Sequence, residues 1–288
     1  MPHSHHSHSG QFCRHAKDTL EQVVLEAIRQ GFEVFGLSEH APRYRLEDLF
    51  PEEVGLTFME TLDANRQSDL TAKDLESAYL SFLEEAVRLR DLYADRVSLL
   101  IGLETDYITD IDLDRTSQLL DRHTNIDYIV GSVHHVNGVS IDFDRPTWVR
   151  AVRTVVDGQY SSTMQVSPVS GKVSLPSVDD AETLPSIEDI RVFLLAYFDA
   201  QYEMLQRHRP EVVGHIDLCL LWIPEQSLRS ERMEAVWEKV VRNVKFVVSY
   251  GGLFEANAAA IRKGWKGSYP NPGILQVGQR AQTDPSLM

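Results

Sequence analysis

The sequence predicts an α/β fold of parallel strands joined by helical crossovers. Three observations lead there. Helix-like and strand-like segments alternate from residue 18 to residue 257 with no internal repeat. The strand-like runs are short and apolar, as expected for strands covered on both faces. At its C-terminal end, each of five runs hands over to a residue able to bind a metal or polarise a substrate: His40, Glu104, His134, His215 and Asn257. Such alternation builds parallel sheets, and in barrels of this kind the site lies at the carboxyl ends of the strands.

The elements follow in order. Asp18-Thr19 before Leu20, Val23, Val24, Ala27 and Ile28 reads as an N-capped amphipathic helix that stops at Gly31. Phe32 to Leu37 is a buried strand delivering Ser38-Glu39-His40. Residues 51–74 look irregular. A second helix runs from Asp74 to Ala94, with Leu75, Ala78, Tyr79, Phe82, Leu83, Ala86 and Leu89 on one face. Val97 to Leu103 is the next strand and releases Glu104-Thr105-Asp106. A helix from Asp112 to His123 precedes the strand Ile126 to Val130. Residues 157–187, rich in Ser, Val, Pro and Asp without a period, read as a long loop or insertion. Ile187 to His208 is a strong helix, Pro210 to His215 a strand, Ser230 to Tyr250 a helix stopped by Gly251-Gly252, and Leu253 to Asn257 the last strand.

The bulk numbers narrow the function. The chain has 288 residues, 43% hydrophobic, enough for one large α/β domain or two small ones. A net charge of −15 argues against a nucleic-acid partner, which would need clustered Lys and Arg. A small phosphorylated molecule is still admissible, because bound cations reverse the local field. The two cysteines, Cys13 and Cys219, make no disulfide framework and suit a reducing compartment. No apolar run reaches membrane-spanning length, and the polar N-terminus lacks the apolar core of a signal peptide, so the cytoplasm is the expected location. Oligomeric state is not fixed by the sequence.

The first fifteen residues carry His3, His5, His6, His8 and His15. In an extended strand residues i and i+2 point the same way, so His6 and His8 would aim at one point, with His15 returning after a loop through Gly10. Neutral imidazole is the commonest protein ligand for transition metals. A histidine-rich start also reads as a tag or a solvated tail, and His3-Ser-His5 is a competing pair. A lone His40 or His215 is more often a satisfied core histidine, Glu104 a cap or surface charge, and Asn257 a turn residue. The recurrence of ligand types at the same end of successive strands is what favours a polynuclear metal site.

Read together, His6-Ser-His8, Leu37-Ser-Glu39-His40, Gly102-Leu-Glu104, Gly131-Ser-Val-His134-His135, Gly214-His215-Ile-Asp217 and Glu255-Ala-Asn257 resemble the ordered motifs of the PHP (polymerase and histidinol phosphatase) superfamily. Within it, the N-terminal histidine cluster, residues 131–144 and Gln201-Tyr-Glu-Met-Leu205 resemble the fungal-type histidinol-phosphate phosphatases. The resemblance implies a distorted seven-stranded (β/α) barrel over residues 1–275, with up to three divalent ions (Zn, Mn or Fe). Carried over, His6, His8 and Glu104 would hold one ion. Glu104 would bridge to a second, held also by His134 and His215, while His15 and His40 would hold the third. Glu39 and Asp217 would orient ligands, and so would His135, which is also a candidate acid for the leaving group.

The implied activity is hydrolysis of L-histidinol phosphate to L-histidinol and phosphate, a step of histidine biosynthesis, with a metal-bound hydroxide as nucleophile. Arg43 and Arg262, near strand ends, are candidates for the phosphate, and Asn257 is a further substrate-binding candidate. Asp106, Tyr107 and Asp142 are candidates for the amine and imidazole.

The resemblance breaks near the C-terminus. Family members carry a late Asp-x-His segment, whereas no histidine follows His215 in this sequence. The expectation is therefore an incomplete or altered barrel with a non-family tail at 276–288. Two metal sites would lack a protein ligand, and activity would be impaired. Competing readings are a phosphodiesterase or nuclease of the same superfamily, a non-catalytic barrel remnant, and an amidohydrolase-type barrel; for the last, no strand-end lysine is found.

Overall fold

Four parallel strands lie side by side in chain order in the first of two units: β1 (His3–Ser4), β2 (Val34–His40), β3 (Ser98–Glu104) and β4 (Tyr128–Gly131). Between them come α1 (Leu20–Arg29), α2 (Ala72–Leu92) and α3 (Asp110–Arg122). The computed structural model describes residues 2–45, 48–50, 72–158 and 184–283. The first unit holds the described residues of 1–106 and 110–130, and the second those of 107–109, 131–158 and 184–283. The expected irregular stretch therefore lies outside the described residues from 51 to 71, and the expected insertion from 159 to 183. Residues 284–288 of the expected tail lie outside them too.

Alternation along β2 and β3 divides the labour of their two faces. Phe35, Leu37, Leu99, Ile101 and Leu103 join Leu20, Val24, Phe82, Leu83, Ala86 and Leu89 in one buried core. Each of the larger side chains contributes about 1.5–3 kcal/mol when fully buried. The opposite face carries Gly36, Ser38 and His40 beside Gly102 and Glu104. There the two glycines make room for a ring: a Cβ at either position would collide with the Tyr128 side chain.

The helix α1 starts on a capping box in which Thr19 accepts from Gln22 N and Gln22 accepts from Thr19 N. It ends where Gly31 takes φ +79°. The expected strand Phe32–Leu37 is really Val34–His40, because the register Val34↔Ser98 to His40↔Glu104 carries the pairing through the polar end. The second helix starts at Ala72, two residues before the expected Asp74.

In the second unit, β5 (His135–Val136) and β6 (Val139–Ser140) form a tight antiparallel hairpin. Asn137 (φ +49°) and Gly138 (φ +72°) make its turn, the left-handed pair that matches strand twist. Then follow α4 (Arg145–Val156), capped by Asp144, and α5 (Ile187–His208), capped by Ser186 with Asp189. After β7 (Val212–Val213) come a short 3-10 turn, α6 (Glu234–Ser249), β8 (Leu253–Phe254), α7 (Ala259–Arg262) and α8 (Pro272–Thr283). Trp148, Phe193, Tyr197, Phe198, Val240 and Val244 are fully buried or nearly so.

The sequence reading passed over the hairpin, α4 and α8. The expected strands 210–215 and 253–257 shrink to two residues each. Their ladder holds only Val212↔Leu253 and Val213↔Phe254, after which side chains take over the backbone hydrogen bonds. Where a tail was expected from residue 276, α8 runs on to Thr283, with Ile274 and Ala281 buried. No helix among the described residues is long and apolar enough to cross a membrane.

Candidate metal centre

In the first unit a single buried carboxylate gathers imidazoles from separate segments. Glu104, at the end of β3, is 1% exposed. Its oxygens lie 3.1 Å from His6 Nε2, 3.0 Å from His8 Nε2 and 3.2 Å from His40 Nδ1. Residues 6–8 run beside β2: Ser7 Oγ donates to Gly36 O at 2.8 Å, and Ser38 N donates to Ser7 O at 3.2 Å. Ser7 thus faces β2, leaving His6 and His8 to face Glu104. The Tyr128 hydroxyl donates to His5 O at 2.6 Å and pins the residue just before them. His3 and His5 meet edge-on, with His5 against Tyr128, and neither belongs to the donor groups found among the described residues.

His15 approaches His40, Nε2 to Nε2 at 3.4 Å, and the His8 and His40 rings stack 4.3 Å apart. His8, His15 and His40 present nitrogens within 4.8 Å of one another. Two neighbours here were not anticipated. Cys13 Sγ lies 3.0 Å from the His15 ring and, with His8 and Glu39, forms another possible donor group. Burial pushes its thiol pKa up, and the Glu39 charge adds to this. The Phe50 ring packs against His15 and His40. For Cys13 the spacing of two residues from His15 was an available signal; for Phe50 there was none.

These donors pass a simple test for a cation. A carboxylate only accepts hydrogen bonds, so Glu39 Oε1, 2.8 Å from His8 Nδ1, puts the His8 proton on Nδ1. In a neutral ring Nε2 then turns its lone pair toward a Glu104 oxygen at 3.0 Å. Two acceptors face each other, an arrangement stable only with a positive charge between them. Without an ion that charge is a proton: burial pulls the His8 pKa down, but the contacts with Glu104 and Glu39 outweigh it and the net shift is upward. Imidazole nitrogens with a carboxylate are the donor set of transition ions, and Glu39 orients the ring as carboxylates behind metal-bound histidines do.

The substrate candidates of this unit are engaged within the protein. Arg43, 3% exposed, donates from one Nη to Asp106 Oδ2 at 2.9 Å, and its guanidinium lies 3.7 Å over the Phe50 ring. Asp106 also lies 3.4 Å from His40 Nδ1.

In the second unit, His134 and His215 bring their Nε2 atoms to 3.3 Å. Both are buried, as are His135 and Asp217. Side chains hold the loop after β7. Glu255 Oε2 accepts from His215 N at 3.2 Å, Gln201 Nε2 and the Tyr197 hydroxyl donate to Ile216 O at 3.0 and 3.2 Å, and Asp217 Oδ2 accepts from Asn271 N at 2.7 Å. Burial pushes the Asp217 pKa up to about 6, against the pull of its backbone donors. Asp142, brought back by the hairpin, stays below its ordinary range. Burial would raise it, but the charges of His134, Lys263, His215 and His135 prevail.

The other candidates are placed as follows. Asn257 Nδ2 donates to Glu255 at 2.9 Å and its Oδ1 accepts from Ala259 N at 2.7 Å, so both ends of the amide are engaged. Arg262 is exposed on α7. The Tyr107 hydroxyl donates to Glu203 at 2.7 Å. Gln201, Tyr197 and Glu255 were not singled out as site residues. Gln201 lies in the 201–205 motif and Glu255 in the last one, so both stood in view without a role.

Comparison with known proteins points one way. Residues 4–259 match the PHP domain family. The chain is 39% identical to the "Probable histidinol-phosphatase" of Schizosaccharomyces pombe, over 96% of this chain and 76% of that protein. It is 31% identical to the histidinol-phosphatase of Saccharomyces cerevisiae, over 96% and 78%. The solved structure of hisK from Listeria monocytogenes superposes with a TM-score of 0.64 at 22% identity, covering 98% of this chain and 92% of that one, a likeness of fold.

Proposed function

From the premise that this chain belongs to the PHP domain family, we propose that it is a metal-dependent phosphatase cleaving L-histidinol phosphate to L-histidinol and phosphate. The observation that carries the reading is the buried Glu104 carboxylate with three imidazole nitrogens within 3.2 Å, in a chain 39% and 31% identical to fungal proteins named for that reaction. It is a phosphoric monoester hydrolase of histidine biosynthesis. Its two free thiols suit work in the cytoplasm.

The residues assigned to the ions are His6, His8, His15, His40 and Glu104 of the first unit and His134 and His215 of the second. Up to three of Zn, Mn or Fe are accommodated by such donors. Bound ions acidify water and offset charge on phosphoryl oxygens. In the reaction, a water oxygen adds to phosphorus, the ester P–O bond breaks, and the departing alcohol oxygen takes up a proton. His135 is assigned the delivery of that proton. Glu39 fixes the His8 tautomer, and Asp217 braces the turn after His215. Arg43 and Arg262 are assigned to the phosphate and Asn257, Asp106 and Tyr107 to the rest of the substrate. For Arg43, that role requires it to turn from Asp106.

The test is phosphate release from L-histidinol phosphate by the chain loaded with Mn²⁺ or Zn²⁺, beside a nucleotide diester. Monoester turnover abolished by a chelator and restored by metal is expected. Diester turnover without monoester turnover would assign the chain to the nuclease branch, and turnover of neither would leave a non-catalytic protein.

A further inference from the structure

The hairpin of residues 135–140 contains none of the residues assigned above to the ions, yet its turn and flanks are specifically bonded. Asn137 and Gly138 take the left-handed backbone its turn requires, Trp222 Nε1 donates to Ile141 O at 2.9 Å, and Ile141 N donates to His134 O at 3.0 Å. The result is that Asp142, eight residues after His134 in sequence, directly follows the backbone bond and the His135↔Ser140 pairing that return the chain to the histidine pair.

The other acids of this neighbourhood are tied to backbone or amide donors, and the one oxygen left over, Asp217 Oδ1, is sealed from solvent. Glu255 accepts from His215 N and Asn257 Nδ2, and Asp217 is wholly buried and accepts from Asn271 N. Asp142 differs from both. It is only half-buried, and among the described residues the one hydrogen bond it accepts comes from Ser140 on its own hairpin, at a long 3.3 Å. The competing candidates have partners already: Asp106 binds Arg43, and Tyr107 binds Glu203. Asp142 is thus a carboxylate held in place by a rigid turn, reachable by solvent, with an acceptor oxygen to spare.

We infer that Asp142 is the specificity residue that receives the ammonium group of an amino-alcohol phosphate, an inference that rests on the phosphatase reading above. An amine carried close to a phosphate must be bound near groups that attract the phosphate and therefore repel the amine. An anion beside the imidazole cluster offsets that repulsion, and a substrate without the amine gains nothing from it.

The test pairs two ligands with two proteins. Calorimetry compares L-histidinol with its amine-free analogue, 3-(imidazol-4-yl)propanol, on the metal-loaded wild type and on Asp142→Asn. The ratio of kcat/KM for the two corresponding phosphates is then measured on both proteins, a ratio insensitive to the fraction folded. The wild type is expected to prefer the amine-bearing member of each pair by tenfold or more, and D142N to lose at least most of that preference. Preference unchanged in D142N, or absent in the wild type, overturns the assignment. If the wild type binds L-histidinol with that preference but cleaves neither phosphate, the catalytic reading falls while the amine site stands.

Discussion

His40 and Glu104 sit opposite one another in the register of β2 and β3, so ordinary strand pairing sets their separation. His134 and His215 lie beyond the ends of β4 and β7; His134 O accepts from Ile141 N of the hairpin, and the parallel register stops short of His215. There the backbone is held by side chains from afar: Gln201 and Tyr197 of α5 clamp Ile216, and Glu255 clamps His215. One half of the proposed ligand set inherits its geometry from a sheet, and the other chiefly from individual hydrogen bonds. A sheet resists the loss of any one contact, while a clamped loop depends on each clamp.

The largest effect should come from the first unit, and in metal affinity rather than stability. Glu39→Gln keeps the volume but offers His8 Nδ1 and Ser9 a side chain with only one accepting end, so the His8 ring loses its fixed orientation. Loss of such a partner typically costs about 10–100-fold in metal affinity. Metal titration should show that drop while the urea midpoint moves little, because the strand register is untouched. A large loss of stability with affinity intact would mean that the carboxylate supports the sheet and leaves the ring to orient itself.

The second unit should respond the other way. Gln201 is 1% exposed and bridges Ile216 O to Asn243 Nδ2. Leucine at 201 removes both bonds, though Tyr197 still serves Ile216 and Phe198 O still serves Asn243. The expected cost is about 1–3 kcal/mol in urea unfolding, with a fall in turnover because the loop bearing His215 loosens. Unaltered turnover in Gln201→Leu would mean that Tyr197 and Glu255 suffice to hold that loop.

The same contrast governs what could be read before the structure. The placing of His40 and Glu104 together was legible because hydrophobic alternation locates a strand, and its end locates the polar residues that follow. The Thr19 cap and the Gly31 stop were legible because caps are local. The hairpin was overlooked although Asn137-Gly138 is a strong turn signal, since its strands are only two residues long and begin at His135, read as an orienting partner or acid beside a candidate ligand. The helix α8 was not legible because its apolar stripe is thin: Ile274, Gly278 and Ala281 are spaced helically, but Gly278 is a weak helix former and Leu275 is exposed. The Gln201–Ile216 clamp and the Arg43–Asp106 pair join residues 15 and 63 positions apart, and no local pattern announces them.

Because the second unit leans on α5, an acid weakness in that helix should show as a small pH effect. His208 closes α5; its Nε2 is buried and has no hydrogen-bond partner among the described residues. Burial first, and the neighbouring Arg207 charge second, hold its pKa down to about 4. In the unfolded chain the value returns to about 6.5. Between these values the unfolded chain binds a proton that the folded chain refuses, so the contribution to stability is whole above about pH 6.5. It is lost as pH falls toward 4, at most about 1.4 kcal/mol per pH unit and less where solvent reaches the ring. His208→Leu removes the titrating group while every other acid and base stays common to both proteins. Urea midpoints at pH 7 and pH 5 should therefore fall further for the wild type than for the variant. Equal falls would mean that His208 accepts its proton within the fold, and that α5 carries no such weakness.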